Sequence, residues 1–196
     1  MTTSPRYLLL LAALAVMPVR AGETVLEFNP PQTRVAWTLD TVLHTVHGTF
    51  QLRRGTIHFD PETGKAGGEI VVDARSGQSG SDSRDSRMHK TFLESAIYPD
   101  VVFTLDRVDG RVPSQGAATI QVHGTFVLHG TRHELTLPIQ LNAEPGRITA
   151  DTHFIVPYVS WGLKNPSTFI LHVDDKLDIE IHSTASLVSQ GASPHD

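Results

Sequence analysis

Apolar and polar side chains alternate one by one along most of this chain, the period of a half-buried β-strand and not of a helix. Arg34 to Asp40 puts Val35, Trp37 and Leu39 on one face. His47 to Arg53 does the same with Phe50 and Leu52, and Thr56 to Phe59 with Ile57 and Phe59. Asp60-Pro-Glu-Thr-Gly64 reads as a turn, Glu69 to Ala74 as a strand and Ser76 to Gly80 as a loop. Val101 to Val108 aligns Val101, Phe103 and Leu105. Thr119 to His129 sets Ile120, Val122, Phe126 and Leu128 against Gln121, His123, Thr125 and His129. After a turn at Gly130, Leu135, Leu137, Ile139 and Leu141 return; Glu144 to Arg147 turns again, and Ile148–Val156 and Leu177–Leu187 complete the series. About eight or nine strands on short connections predict antiparallel sheet, because parallel pairs need long crossovers. The alternation leaves one face wet. An up-and-down barrel is the simplest closure and a two-sheet sandwich the rival.

Two stretches break the alternation. Ser81 to Phe103 starts polar and charged, turns apolar at Phe92 and Leu93, and is closed by Tyr98-Pro99, which predicts one short helical insert. Pro157 to Phe169 combines two prolines, a glycine and three aromatics, Tyr158, Trp161 and Phe169. That much aromatic surface has to pack, and a barrel mouth or cavity is the natural place. An eight-stranded barrel is just wide enough to be filled by its own side chains or to hold one slim ligand. A barrel with a lid suits a ligand held inside better than a catalytic cleft.

The N-terminus carries Arg6, an apolar run from Tyr7 to Met17 and Val19-Arg20-Ala21, the three parts of a secretory signal over residues 1–21. The apolar run is short of the ~20 residues a spanning helix needs, so stable membrane insertion is not expected. The domain then spans residues 22–188, with a polar tail over 189–196 that carries Gly and Pro. A periplasmic location follows from the leader. Removing Arg6 and Arg20, with no acidic residue beside them, takes the formal net charge from −5 to −7. Such a balance disfavours nucleic acid and anionic lipid surfaces. The absence of cysteine excludes disulfides, thiolate metal sites and cysteine catalysis.

The 11 histidines invite a metal reading, with His44, His47, His123, His129 and His133 the best cluster. On strands an i,i+3 pair points to opposite faces, and His123 and His129 share the polar one, so no metal is expected. No Gly-x-Ser-x-Gly elbow is present, and no catalytic residue is assigned. Arg84 and Asp85 open the insert as capping and pairing residues; the sharper reading has Arg84 or His89 meet a ligand's polar head.

Val42 to Phe50, Arg84-Asp85 with Met88, Tyr98 to Phe103, Gly124-Thr-Phe126 followed by Gly130 to Pro138, and Trp161-Gly162 occur in an order and spacing that resembles the YceI-like family of exported lipocalin-like proteins. The resemblance runs from about Thr24 to Leu187. It implies an all-β, eight-stranded antiparallel barrel with one short helical insert. It implies no catalytic activity and a long apolar pocket for a polyisoprenoid lipid, a quinone-like molecule or a similar long-chain amphiphile, with no other cofactor. A homodimer is the assembly it implies. Carried onto this sequence, the pocket would be lined by Trp37, Leu39, Phe50, Met88, Phe92, Phe103, Phe126, Leu137, Phe154, Trp161 and Phe169, with Arg84 and His89 at the head group. The rival readings are a stress or assembly protein with a filled barrel and a lipid-modifying enzyme.

Overall fold

The computed structural model describes residues 24–61, 63–169 and 171–189. The expected leader and all of the expected tail beyond Ser189 lie outside them. Nine strands form one sheet: β1 (Thr24–Phe28), β2 (Arg34–Asp40), β3 (Thr45–Phe59), β4 (Ala66–Gln78), β5 (Asp100–Asp109), β6 (Gly116–Leu128), β7 (Thr131–Glu144), β8 (Arg147–Val156) and β9 (Leu177–Ser189). Every ladder is antiparallel, and the β3–β4 pairing closes the ring. The barrel has eight strand positions, because β1 and β2 share one. Both run antiparallel to β3 and β9: β1 faces their far halves and β2 their near halves. The break between them is a 3-10 turn at Pro30–Gln32, where two prolines lack the N–H a ladder needs.

The segments His47–Arg53 and Thr56–Phe59, read from sequence as separate strands, are one strand of 15 residues. Their inward sets differ in phase, with Val46 and Leu52 even and Ile57 and Phe59 odd. The structure absorbs the slip in a bulge: the pairing shifts between Leu52↔Val72 and Arg54↔Val71. Arg53 beside it pairs with Asp73 at 2.9 Å and Asp100 at 2.5 Å, tying β3 to β4 and β5. Burial pushes the Asp73 carboxyl up, but the hydrogen bonds it accepts from Arg53 and Arg75 outweigh this and hold it below the usual carboxylate range.

The expected loop at Ser76–Gly80 is also corrected, since β4 continues to Gln78. Composition misleads there because Gly77 serves close packing. A Cβ on it would sit 2.5 Å from the Phe50 ring and 2.8 Å from the Met88 methyl. Helix α1 (Asp82–Arg87) and a π-turn at Met88–Phe92 form the insert. The β6–β7 hairpin turns on His129 (φ 50°) and Gly130 (φ 77°), the positive-φ pair that a two-residue turn demands. His129 Nε2 meets the Glu94 carboxylate at 2.8 Å, and its ring lies 4.2 Å from that of Tyr98, which fastens the insert to the barrel rim.

Inward side chains form two clusters along the axis. One, the floor, gathers Leu26, Ile57, Phe59, Leu105, Val108, Ile120, Val122, Leu141 and Ile148. The other, at the mouth, gathers Trp37, Val46, Leu128, Val156, Tyr158, Leu163 and Ile179, with Phe50, Met88, Leu93, Phe126 and Phe154 packed against them.

Candidate ligand-binding site

Two cavities stand out in the barrel interior. The floor cavity is about 160 Å³ and is lined by aliphatic and phenyl groups, with Thr33, Thr152 and Ser183 the only polar side chains. The mouth cavity is about 440 Å³. It falls in the range of small-molecule pockets. Both share Val35, Val72, Val101, Phe126, Phe154 and Ile181 in their walls, so they are two compartments of one lumen. The Phe126 and Phe154 rings meet edge to face with centroids 6.2 Å apart and form the waist between them.

Strand alternation aims the side walls. Trp37, Leu39 and Val35 project from β2, Ile179 and Ile181 from β9, and Val46 and Phe50 from β3. The insert contributes Arg84, Arg87, Met88, Phe92 and Leu93, and the segment after β8 contributes Tyr158, Leu163, Lys164, Pro166 and Leu171. Tyr158 anchors that segment by donating its hydroxyl hydrogen bond to the Asp174 carbonyl. Burial, and then the charges of Asp174 and Asp175, push its phenol up to about 12.

Polarity is graded along the axis. Among the described residues, the charged side chains lining the lumen are Arg84, Arg87 and Lys164, all at the mouth and all cationic, with His44 in the same wall and no carboxylate. Arg84 is braced: its Nε and Nη2 donate to the Ser79 hydroxyl and carbonyl at 2.7 Å each. Asp85 accepts from the same hydroxyl and from the Ser79 amide at 2.9 Å. The Arg87 guanidinium lies 5.8 Å from the centre of the Phe92 ring. The Trp37 ring is part of the mouth wall, and its indole N–H is buried with no protein acceptor.

Of the residues singled out from sequence, Trp37, Leu39, Phe50, Met88, Phe92, Phe126, Phe154 and Arg84 line the mouth compartment. Phe103 and Leu137 line the floor. Three do not line the lumen. Trp161 lies outside the lining, stacked on His133 at 3.9 Å with the planes 9° apart, and 5.7 Å from Phe126, so it backs the wall. Phe169 is 106% exposed, at the tip of a turn closed by the Thr168 N–H to Leu171 carbonyl bond. His89 is spent on structure: Nε2 meets the Gly77 carbonyl at 2.9 Å and Nδ1 the Ser95 hydroxyl at 3.2 Å, which pins the π-turn to β4. Sequence reasoning passed over Arg87, Leu163 and Lys164. No periodicity marks residues that reach a lumen from an insert or a loop. Among the described residues no group of three His, Asp or Glu is placed to hold a metal ion. His123 faces outward, bonded to Asp109 and Thr136.

A YceI-like domain model matches residues 26–185. This chain belongs to the YceI-like family. Solved structures agree on the fold. BcnA of Burkholderia cenocepacia superposes with a TM-score of 0.66 at 15% identity, over 81% of this chain and 99% of that one. A polyisoprenoid binding domain from Saccharophagus degradans gives 0.65 at 13%, over 83% and 98%. The Campylobacter jejuni YceI protein gives 0.59 at 16%, over 74% and 86%. No curated protein matches the sequence. At these identities the likeness shows the shared barrel fold. The gradient from apolar floor to cationic mouth is therefore read on this YceI-like chain's own side chains.

Proposed function

We propose that this protein is an exported, non-catalytic carrier that holds one long-chain isoprenoid, or a similar amphiphile such as a quinone, with its tail toward the floor and its head at the mouth. The observation that carries this reading is the apolar lumen in which, among the described residues, the charged lining side chains all belong to the larger compartment. An apolar chain threaded past Phe126 and Phe154 gains about 0.8 kcal/mol for each methylene removed from water. The head keeps company with Arg84, Arg87 and Lys164. Family membership supports a binding role, and the Saccharophagus neighbour supports an isoprenoid as the cargo. The leader over residues 1–21 supports delivery to the periplasm.

Mass spectrometry of lipid extracted from natively purified protein tests this. The expected result is a stoichiometric long-chain isoprenoid. Phe126→Asp places an unpaired carboxylate at the waist and should abolish retention in a protein that still folds. Lipid-free protein that takes up no labelled isoprenoid would favour the filled-barrel reading. A co-purified lipid that is chemically converted on incubation would favour the enzyme.

A further inference from the structure

The floor compartment owes its space to a few positions on two strands. Along β8 the inward side chains below Phe154 are Thr152, Ala150 and Ile148, and their register partners on β9 are Ile181, Ser183 and Ala185. Ala150, Ser183 and Ala185 are the smallest side chains in the floor lining. The strand position next to β9 is interrupted at the same level. The Asn29 N–H bonds to the Thr184 carbonyl at 3.0 Å, and the 3-10 turn that follows, Pro30–Gln32, offers no buried side chain. The rest of the floor is large and closed: Leu26, Ile57, Phe59, Leu105, Ile120 and Leu141 are all buried. Each of these sits on a strand paired on both sides, so the far end of the lumen is a fixed stop.

The hydroxyls of the floor are already spent. Thr33 donates to the Asn29 carbonyl at 2.9 Å, Thr152 to the Pro138 carbonyl at 2.8 Å and Ser183 to the Ala150 carbonyl at 3.2 Å. A hydroxyl has one hydrogen to give, and each of these gives it to the backbone. Among the described residues, no side chain of the floor lining has a donor left for a guest. A carboxylate brought there would lose its water and gain no partner, whereas a hydrocarbon end loses nothing. We propose that the patch of Ala150, Ser183 and Ala185 is an end-binding subsite: it receives the free end of the tail, sets the longest chain the barrel holds whole, and admits only a hydrocarbon end. The cargo it selects is a single-headed isoprenoid with an unsubstituted terminus, and two-headed amphiphiles are shut out. Length is read at the floor and not at the mouth, because a stop must not yield. The floor wall is almost wholly sheet, while the mouth takes part of its wall from the insert and the segment after β8. The proposal rests on the carrier reading above.

The test is native mass spectrometry of lipid-free protein mixed with a series of linear isoprenoid monoacids that differ by one isoprene unit, and with the matching diacids. The parent is expected to show a length optimum beyond which occupancy falls. It should bind a diacid less tightly than the monoacid of the same length, by about tenfold or more. Ala150→Leu fills the patch and should move the optimum to shorter chains, weakening the chain the parent prefers by about tenfold or more. Ile148→Ala opens the floor and should move the optimum the other way. Met88→Ala at the mouth should weaken every length and leave the optimum in place. An optimum common to the parent and both floor variants, or one that moves with Met88→Ala instead, would overturn the end subsite and leave the carrier reading standing. A diacid that binds as tightly as its monoacid would overturn it too, and that comparison needs no variant. A parent that binds none of the acids would remove the carrier reading, and the end subsite with it.

Discussion

The floor and the mouth of this barrel obey the same alternation and end up different. At the floor, strands contribute nearly every inward residue, and aliphatic groups from opposite walls meet with only about 160 Å³ left over. At the mouth, part of the wall comes from α1, the π-turn and the segment after β8, and about 440 Å³ stays open. Strand walls are braced on both sides by ladders. Insert walls hang on a few contacts: Glu94–His129, His89 to Gly77 and Ser95, and Tyr158 to Asp174. Much of the space for a guest lies where the wall is not sheet.

The largest expected effect separates stability from binding. Leu141→Ala at the floor should cost about 2–5 kcal/mol in urea unfolding, because a cavity opens among fixed neighbours. Its effect on lipid retention in native buffer should be the smaller one, confined to lost contacts with the end of the tail. Met88→Ala at the mouth should do the reverse, lowering retention while costing about 1 kcal/mol or less, since its side chain already borders open space. Comparable stability losses for the two would erase the distinction between a packed floor and a hollow mouth.

Gly77 lies where the braced and unbraced walls join. Gly77→Val drives a side chain into the Phe50 ring and Met88 methyl, and overpacking of this kind costs about 1–3 kcal/mol. Part of the strain should be released by lifting the insert. Hydrogen exchange over 82–97 should quicken while β6 stays protected; uniform exchange across both would mean that insert and sheet open as one unit.

The Tyr158 anchor gives the mouth a titration of its own. Its folded-state value, raised from 10.0 to about 12, means the neutral phenol is favoured by the fold. The stabilisation is whole below pH 10 and is lost as pH rises toward 12, roughly 2 kcal/mol in all. Tyr158→Phe should flatten that part of the stability–pH curve, and a slope unchanged in the variant would place its origin elsewhere. The smallest effect belongs to the rim latch. Glu94→Gln should cost about 0.5 kcal/mol, as partly exposed pairs do. Its clearer sign would be faster lipid release; unaltered release kinetics would show that the insert does not gate the lumen.

Alternation alone determined that this chain makes an antiparallel sheet, which face of each strand is apolar, and where the regularity fails. With the family resemblance it reached nine apolar lumen residues, from Trp37 to Phe154, and the cation Arg84; those on strands follow a period of two, a local property of the backbone, while Met88 and Phe92 on the insert do not. The β3 bulge was missed: His47–Arg53 and Thr56–Phe59 were read as two strands, and the change of phase between Leu52 and Ile57 took its meaning only from the pairing with β4. Tertiary structure alone decided the rest. Whether a loop residue reaches inward depends on where its base is tied, so Leu163 and Lys164 line the lumen while Phe169, five residues on, stands in solvent. His89 and Trp161 carried the right chemistry for a site, but neighbours distant in sequence, Gly77 and His133, had already claimed them. Whether the barrel is full or hollow was decided there as well, because volume depends on side chains that meet across the axis from strands up to a hundred residues apart, and no local pattern records that sum.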